Sequence, residues 1–236
     1  MNSYKRVLLK VSGEQLAGQF ESGIDAERAH WLAREVSKAK ETGAEVVIMV
    51  GGGNFVRGAQ IAGSGIKRVT GDHMGMLGTL INALALTDIF ESDDISTRCL
   101  SNIFAQQVAE PFSHRLAEKH LQNDRVVIVA GGIGRPYLTT DTAAISMALE
   151  LGCDVVIKAT KVDGIYSKDP HKFDDAEKYH TLTYQQALEN ADIKVMDKAA
   201  LGLAMEQNMP LLVVSLEQDD SLARAINGES IGTKVS

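Results

Sequence analysis

The chain has little cysteine, no block of one charge and no long apolar run. Its two cysteines, Cys99 and Cys153, lie far apart among 236 residues and share no CxxC spacing. That argues against a disulfide framework or a zinc site and favours two small buried hydrophobic residues. The net charge is −7, and no five consecutive like charges occur. This argues against a nucleic acid or an anionic membrane surface as the main partner.

The apolar segments are too short for a membrane anchor or a signal peptide. None approaches the roughly 18 residues that span a bilayer. The N-terminus reaches the charged Lys10 after only three apolar residues, which is too short for a signal-peptide core. Hydrophobic residues make up 44% and charged residues 23% of the chain, as is ordinary for a soluble globular protein. We therefore expect a cytoplasmic protein whose residues 1–236 form one domain.

Short apolar runs alternate with helical patterns along the whole chain. The predicted strands are 4–11, 45–50, 94–100, 125–130, 154–159 and 210–215. Helices are predicted behind a cap at Asp25, behind the segment GDHMG, and over 140–151, 184–190 and 195–208. Nearly continuous apolar runs are typical of strands covered on both faces. The alternation predicts an α/β fold, a three-layer α/β/α sandwich around a mostly parallel sheet.

Four predicted strands end in segments rich in glycine, lysine, hydroxyl groups and aspartate. In parallel sheets ligands bind at these carboxyl ends, and glycine turns let backbone N–H groups approach phosphate oxygens. The segments are LKVSGE (9–14), GGGNFVRG (51–58), GGIGRPYLTTD (131–141) and KATKVDGIYSKDP (158–170). The three glycines 51–53 could simply make a tight turn. Two glycine-rich ends combined with basic residues favour a polyphosphate site.

Two common nucleotide motifs are absent. No glycine-lysine pair is followed by serine or threonine, so a Walker A loop is missing. The third glycine of a dinucleotide fingerprint is replaced by Val56 after the first glycine turn and by Tyr137 after the second. A P-loop kinase and a nicotinamide enzyme are therefore disfavoured, and the phosphates must be held in another way.

Six segments resemble, in order, the motif set of the bacterial UMP kinase family, which has an amino-acid kinase-like fold. They are LLKVSGE, GGGNFVRG, GDHMGMLGTLINALAL, TTDTAA, KATKVDGIYSKDP and KVMDKAA, and the resemblance runs from about Lys5 to Thr233. It implies transfer of the ATP γ-phosphoryl group to UMP, giving UDP and ADP in pyrimidine nucleotide biosynthesis. It also implies Mg²⁺ that enters with ATP and is held mainly by nucleotide phosphates, and an allosteric homohexamer.

The resemblance assigns a donor site and three catalytic residues. A lysine before a Ser-Gly turn can reach a transferring phosphoryl group. The implied ATP contacts are Lys10, Val11, Ser12, Gly13, Gly53, Arg57, Thr160, Tyr166 and Asp169. The implied catalytic residues are Lys10, Asp141 and Lys158. Asp141 would orient the lysines, because a phosphate dianion needs no general base; from sequence alone it could instead cap a helix.

A departure from related kinases concerns a second lysine. Kinases of this fold that phosphorylate amino acids carry another lysine near the KVMD segment, where this chain has Val195. That leaves Lys158 or a main-chain group as the expected substitute.

The resemblance also assigns an acceptor site. The implied UMP contacts are Gly52, Asp72, Ile133, Gly134, Arg135, Pro136, Tyr137, Leu138, Thr139 and Thr140. Asp72 would accept from the ribose hydroxyls, although sequence alone favours a helix N-cap. Family members usually have Gly-Thr-Gly-Asn-Pro and two aromatics where this chain has GIGRPYL, and Arg135 could add a charge near the uridine. The glycines 51–53 would then lie between donor and acceptor phosphates, where Cβ atoms would obstruct their approach.

Two alternatives remain open at the level of sequence. A relative with another acceptor, such as carbamate or an amino acid, is disfavoured by GDHMGML and the run Thr139-Thr140-Asp141. A non-catalytic nucleotide sensor or oxyanion-binding protein is disfavoured by Lys10, Arg57 and Asp141 together. For the hexamer, the apolar stripe of Met76, Leu77, Leu80, Ile81 and Leu84 could lie near a subunit contact or entirely within the core.

Overall fold

The computed structural model describes residues 3–57, 65–168, 170, 172–190, 193 and 195–236. Asp169, one of the expected ATP contacts, lies outside these residues. Within them, the strands are β1 (Arg6–Val11), β2 (Glu45–Val50), β3 (Thr97–Ser101), β4 (Glu110–Pro111), β5 (Val126–Ala130), β6 (Val155–Thr160), β7 (Ile165–Tyr166), β8 (Lys178–Tyr179), β9 (Thr181–Leu182), β10 (Leu211–Ser215) and β11 (Thr233–Val235).

Helices connect most of these strands. They are α1 (Gly13–Leu16), α2 (Ala26–Glu41), α3 (Arg68–Ser92), α4 (His114–Gln122), α5 (Thr140–Glu150), α6 (Tyr184–Glu189), α7 (Lys198–Gln207) and α8 (Ser221–Ile226). The predicted cap of α2 is confirmed, because the side chain of Asp25 accepts a hydrogen bond from the backbone N–H of Glu27 at 3.0 Å.

Nine of the described strands form one sheet in the order β4-β3-β5-β2-β1-β6-β10-β11-β9. All neighbours are parallel except β10 and β11. The first strand lies near the middle, between β2 and β6. The carboxyl ends of β1, β2, β5 and β6 therefore meet at one edge of the sheet, and these are the four strands whose ends carry the glycine, lysine and aspartate segments.

Two core clusters lie on opposite faces of the sheet. One packs α2, α3 and α8 against one face, and the other packs α4 to α7 against the opposite face. Alternation along β1 shows the division, since Val7 and Leu9 belong to the first cluster and Leu8 to the second. The predicted three-layer sandwich around a mostly parallel sheet is confirmed. Both cysteines are free and buried, as expected.

Helix α3 differs from its predicted form. It begins at Arg68, with Lys67 as its N-cap, so it includes the GDHMG segment instead of following it. Its apolar stripe is also not entirely core: Leu77 is 53% and Ile81 48% exposed. The hypothesis that the whole stripe is intrachain core is therefore wrong. By length and composition α3 could cross a membrane, but Leu86 and Phe90 are fully buried in the first cluster, as in a core helix.

Candidate active site

Two lysines and one aspartate meet at the centre of the sheet edge. Lys10 and Lys158 are direct partners in the parallel pairing of β1 with β6, so their side chains leave the same face of the sheet. Lys10 is only 7% exposed, and its Nζ lies 2.6 Å from Asp141 Oδ1. The Nζ of Lys158 donates to Asp141 Oδ2 at 3.1 Å. One carboxylate from α5 therefore bridges two ammonium groups.

Lys158 also donates to the backbone carbonyl of Val195. The carbonyl orients Lys158, but as an acceptor it cannot itself replace a lysine at a phosphoryl group. Lys158 as the substitute stays a prediction.

Burial and nearby charges shift the pKa values of Asp141 and Lys158. Burial raises the pKa of Asp141, but the positive charges of Lys10 and Lys158 outweigh burial and hold this pKa below its ordinary value. Burial lowers the pKa of Lys158, and the charge of Asp141 offsets that effect only in part. Asp141 is therefore ionised at neutral pH, where it compensates the two buried lysines.

The N-terminus of α5 is capped by Thr139 and not by Asp141. The hydroxyl of Thr139 accepts from the backbone N–H groups of Asp141 at 3.0 Å and Thr142 at 3.5 Å. The helix-cap hypothesis for Asp141 is therefore wrong, and its carboxylate is free to meet the lysines.

Asp197 is a site residue to which the sequence analysis gave no role. It caps α7 by accepting from Ala200 N at 2.9 Å. Its carboxylate also accepts from the hydroxyls of Thr139 and Thr142, so it joins the starts of α5 and α7. The available signal was an aspartate directly before a helical segment, which predicts a cap but not its second set of partners.

The glycines at the end of β2 are required by the protein's own backbone. A Cβ on Gly52 would lie 2.8 Å from the backbone nitrogen of Thr79 in α3. A Cβ on Gly13 would lie 2.7 Å from the carbonyl oxygen of Gly51. Obstruction of phosphates is thus not the only reason for glycine here, because α3 fills the space beside Gly52 and the turn after β2 fills the space beside Gly13.

A cavity of about 410 Å³ opens beside these groups. It joins expected donor-site residues to expected acceptor-site residues along one wall. Its lining comprises Lys10, Glu14, Gly52, Gly53, Val56, Arg57, Arg68, Asp72, Gly75, Met76, Thr79, Gly132, Ile133, Leu138, Thr139, Thr140 and Asp141. A second cavity of about 470 Å³ lies on the other side of Asp141 and is lined by Lys158, Val195 and Asp197 among others.

Charged side chains in the first cavity are paired with one another. Arg57 forms an ion pair with Glu14. Asp72 accepts from Arg68 Nε at 2.8 Å and from the backbone N–H of Tyr137 at 2.9 Å. Asp72 is the fifth residue of α3, so the hypothesis that it caps the helix is wrong.

Several expected contacts lie outside the lining of the first cavity. The hydroxyl of Thr160 donates to the carbonyl of Val162 at 2.6 Å, and that of Tyr166 donates to Asp163 at 2.6 Å. Arg135 is exposed, and its nearest polar partner is the carbonyl of Gly134 at 3.5 Å. Five further expected contacts also lie outside this lining. Val11, Ser12 and Gly13 follow Lys10 and lead into α1, and Gly134 and Pro136 belong to the acceptor loop.

The chain that forms this buried lysine-aspartate-lysine group matches one family model. The model of the amino acid kinase family matches residues 5–215. The chain belongs to this family and is an ATP-dependent phosphotransferase.

Several similar proteins in that family carry the name uridylate kinase or UMP kinase. A protein named uridylate kinase from Xanthomonas oryzae pv. oryzae is 48% identical over 233 residues, which cover 99% of this chain and 97% of that one. A UMP kinase structure from Bacillus anthracis has a TM-score of 0.94 at 37% identity and covers 100% of this chain and 97% of that one. A UMP kinase structure from Ureaplasma parvum has a TM-score of 0.90 at 32% identity, with both chains fully covered.

Proposed function

We propose that this chain transfers the γ-phosphoryl group of ATP to UMP, producing ADP and UDP. The observation that carries the proposal is the first cavity, which combines Lys10 and Asp141 with Gly52, Asp72 and the start of α5. Three relatives that match nearly the full length of this chain carry the name uridylate kinase, which supports UMP as the acceptor.

On the donor side, the triad supplies positive charge that is held in place. Phosphoryl transfer depends mainly on positioning and on neutralising the charge of the transferred group. We assign Lys10 to that group, because it is buried and opens onto the cavity. Asp141 orients Lys10 through Oδ1. Lys158 binds Oδ2 of the same carboxylate and adds a second positive charge. With two ammonium partners and a lowered pKa, Asp141 is a poor proton acceptor, so we assign it no role as a base.

Further donor contacts are proposed on the same grounds. The backbone of 11–13 follows Lys10, and Gly53 and Arg57 line the cavity, so we assign all of them to the ATP phosphates. Thr160 and Tyr166 are proposed to bind the adenosine, as is Asp169 outside the described residues. Their bonds to Val162 and Asp163 would have to give way or be shared when ATP binds.

On the acceptor side, the cavity offers backbone groups and the Thr140 hydroxyl for a phosphate, and a carboxylate for a sugar. The Thr139 hydroxyl already donates to Asp197, so Thr139 would contribute through its backbone. Thr139 and Thr140 lie at the start of the eleven-residue helix α5, where N–H groups and the helix dipole favour an anion. Gly52 lines the same cavity. We assign these groups to the UMP phosphate, Asp72 to the ribose, and the loop 133–138 to the uridine.

Mg²⁺ is the divalent metal that we propose for this reaction. Among the described residues, no group of three side chains of the metal-ligating types His, Cys, Asp and Glu lies together. The cavity carboxylates Glu14, Asp72 and Asp141 are each paired with a cation. This donor set fits an ion held mainly by nucleotide phosphates, whose charge would help to neutralise the transferred group.

We also propose the wider properties implied by the resemblance: one domain over residues 1–236, an allosteric homohexamer, a cytoplasmic location and a role in pyrimidine nucleotide biosynthesis. The nine-stranded sheet takes strands from β1 at Arg6 to β11 at Val235, which supports one domain. The exposed Leu77 and Ile81 lie four residues apart on one side of α3, which supports a contact between subunits.

A coupled ADP-release assay over a panel of acceptors tests the proposal. We expect Mg²⁺-dependent turnover with UMP that exceeds turnover with CMP, AMP, carbamate and aspartate. Faster turnover with another acceptor would make the chain a kinase of that compound. ATP and UMP binding without turnover would make it a nucleotide-binding protein on the same scaffold.

A further inference from the structure

Two buried polar side chains of α3 bind the ends of two different strands. Asn82 is fully buried, and its Nδ2 donates to the carbonyl of Gly51, directly after β2, at 2.7 Å. Thr79 is 2% exposed, and its hydroxyl oxygen accepts from the N–H of Gly131, directly after β5, at 2.7 Å. Because residues three apart share one helix face, both contacts point toward the sheet edge that carries the site.

Asn82 also belongs to a reciprocal amide pair with Asn54. Each Nδ2 donates to the other Oδ1, at 2.9 and 2.8 Å. Asn54 donates further to the carbonyl of Gly23 at 2.7 Å, and its Oδ1 occupies the space that a Cβ on Gly13 would need. The pair therefore connects α3 with the glycine turn after β2 and with the turn that follows Lys10.

The backbone contacts between α3 and the glycine turn leave no room for a side chain. A Cβ on Gly78 would lie 3.1 Å from the carbonyl oxygen of Gly52, and one on Gly52 would lie 3.1 Å from the carbonyl carbon of Gly78. With glycine on both sides, no side chain separates the helix from the turn. The hydrogen bonds of Thr79 and Asn82 then decide where the helix sits along the two strand ends.

The one hydroxyl proton of Thr79 is donated within the protein, although Thr79 lines the first cavity. Its hydroxyl donates to the carbonyl of Met76 at 2.7 Å while accepting from Gly131. Thr87 makes a similar bond within the helix, to the carbonyl of Ala83 four residues earlier, at 2.7 Å, and lies outside the first cavity. The contact with Gly131 is therefore what sets Thr79 apart.

We propose that Thr79 and Asn82 are positioning residues that fix the distance between the two nucleotide sites. Asn82 holds the glycine turn, which lies beside Lys10 and the donor site. Thr79 holds the Gly131–Gly132 turn, from which the acceptor loop 133–140 begins. Neither needs to touch a substrate, because each acts through a backbone group at a strand end. This inference rests on the proposed function for the identity of the nucleotides but not for the existence of the connection.

The kinetic test compares Thr79→Val with Thr79→Ser and Thr87→Val. We expect Thr79→Val to lower kcat by about 10- to 100-fold, since small displacements of reacting groups have effects of that order. The KM for ATP should stay within about twofold, because Lys10 and its partners are untouched. Thr79→Ser keeps the hydroxyl and should restore kcat to within about threefold of the parent, and Thr87→Val should match the parent. Equal losses in Thr79→Val and Thr87→Val would overturn the proposal.

Hydrogen exchange measured by mass spectrometry gives a readout that does not depend on activity. In Thr79→Val the amide of Gly131 loses its acceptor, so exchange at this turn should accelerate, whereas Thr79→Ser should retain protection. Parent-like exchange in Thr79→Val would refute the connection. Thr79→Ala replaces the valine variant if valine prevents folding, and the same result is required of it.

These results are distinguishable from a failure of the proposed function. A parent that phosphorylates another acceptor refutes UMP as the substrate, and the kcat ratios are then measured with that acceptor. An active parent with an unaffected Thr79→Val variant refutes only the positioning role. Asn82→Leu, with Thr87→Val again as the control, must show the same pattern of lowered kcat.

Discussion

The backbone N–H of Tyr137 donates to Asp72 Oδ2 at 2.9 Å and thereby ties the acceptor loop to helix α3. Tyr137 has a φ of 66°, in the left-handed region that non-glycine residues seldom adopt. Arg68 binds the other carboxylate oxygen at 2.8 Å, and its guanidinium lies 5.5 Å from the centre of the Tyr137 ring. Asp72 therefore holds the loop as well as facing the cavity, and its substitution should affect both roles.

Asp72→Ala should raise the KM for UMP and narrow the preference for UMP over dUMP. A carboxylate that accepts from both ribose hydroxyls loses a partner with dUMP, which costs roughly 1–3 kcal/mol, or about ten- to hundredfold in specificity. Asp72→Asn is the matched control, since it keeps an acceptor for Tyr137 N–H. Initial rates with both nucleotides measure the ratio. An unchanged preference for UMP over dUMP in Asp72→Ala would mean that Asp72 holds the acceptor loop but does not bind the ribose.

Lys10→Met should reduce turnover by a factor on the order of 10² to 10³, because one preorganised charge at the transferred group is lost. UMP affinity should stay close to that of the parent, since Lys10 serves the donor phosphates, and Asp141 keeps its bond to Lys158. Steady-state kinetics and UMP calorimetry measure the two effects. Lys38→Met is the control, because Lys38 pairs with Asp220 at 2.6 Å on another part of the surface. Near-normal turnover in Lys10→Met would remove this lysine from the mechanism.

Asp141 should contribute stability that acid removes. Its pKa in the folded chain is lowered from 3.8. The contribution is therefore fully present at pH values above the pKa that Asp141 has in the unfolded chain. It is lost as the pH falls through the pKa of Asp141 in the folded chain. Urea unfolding between pH 7 and pH 3 measures the free energy of unfolding of the parent and of Asp141→Asn. The difference between these two free energies should shrink toward pH 3. Asp175→Asn removes an exposed ion pair with Lys168 and should show little difference at any pH. A stability difference between parent and Asp141→Asn that grows as the pH falls would contradict the prediction.

Leu77→Lys should weaken assembly if α3 lies in a subunit contact. A lysine placed in an apolar interface must lose its hydration without a partner, which opposes association. Light scattering of the parent at micromolar concentration should give a hexamer, and the variant a smaller species. Met205→Lys is the control, since Met205 is also an exposed apolar residue but lies on α7. A parent that remains a monomer would overturn the oligomer proposal itself.

The fold was predictable from sequence where the apolar pattern was long. The strand at 45–50 has its predicted bounds, because EVVIMV is apolar over its whole buried length. The two-residue strands β4 and β7 were not predicted, since periodicity cannot be recognised over so few residues. The helix α4 was also missed; its apolar residues are few and its surface is charged.

The site was predictable in composition but not in geometry. Sequence placed Lys10, Lys158 and Asp141 at strand ends, yet their meeting depends on β1 and β6 being neighbours, which is a property of the whole sheet. Thr79 and Asn82 were missed because they stand among apolar residues in the middle of α3, and the sequence analysis gave them no role. Two polar residues three apart in such a helix were the available signal, because buried polar groups require partners.

The position of β1 near the middle of the sheet has a consequence for synthesis on the ribosome. One edge of β1 pairs with β2, with Leu8 opposite Val47, as soon as the first part of the chain has emerged. Its other edge pairs with β6, with Leu8 opposite Val156, and at about 5–20 residues per second that strand emerges on the order of ten seconds later. Throughout that interval the nascent chain presents an open apolar edge, so its first half depends on protection from other nascent chains until the second half arrives.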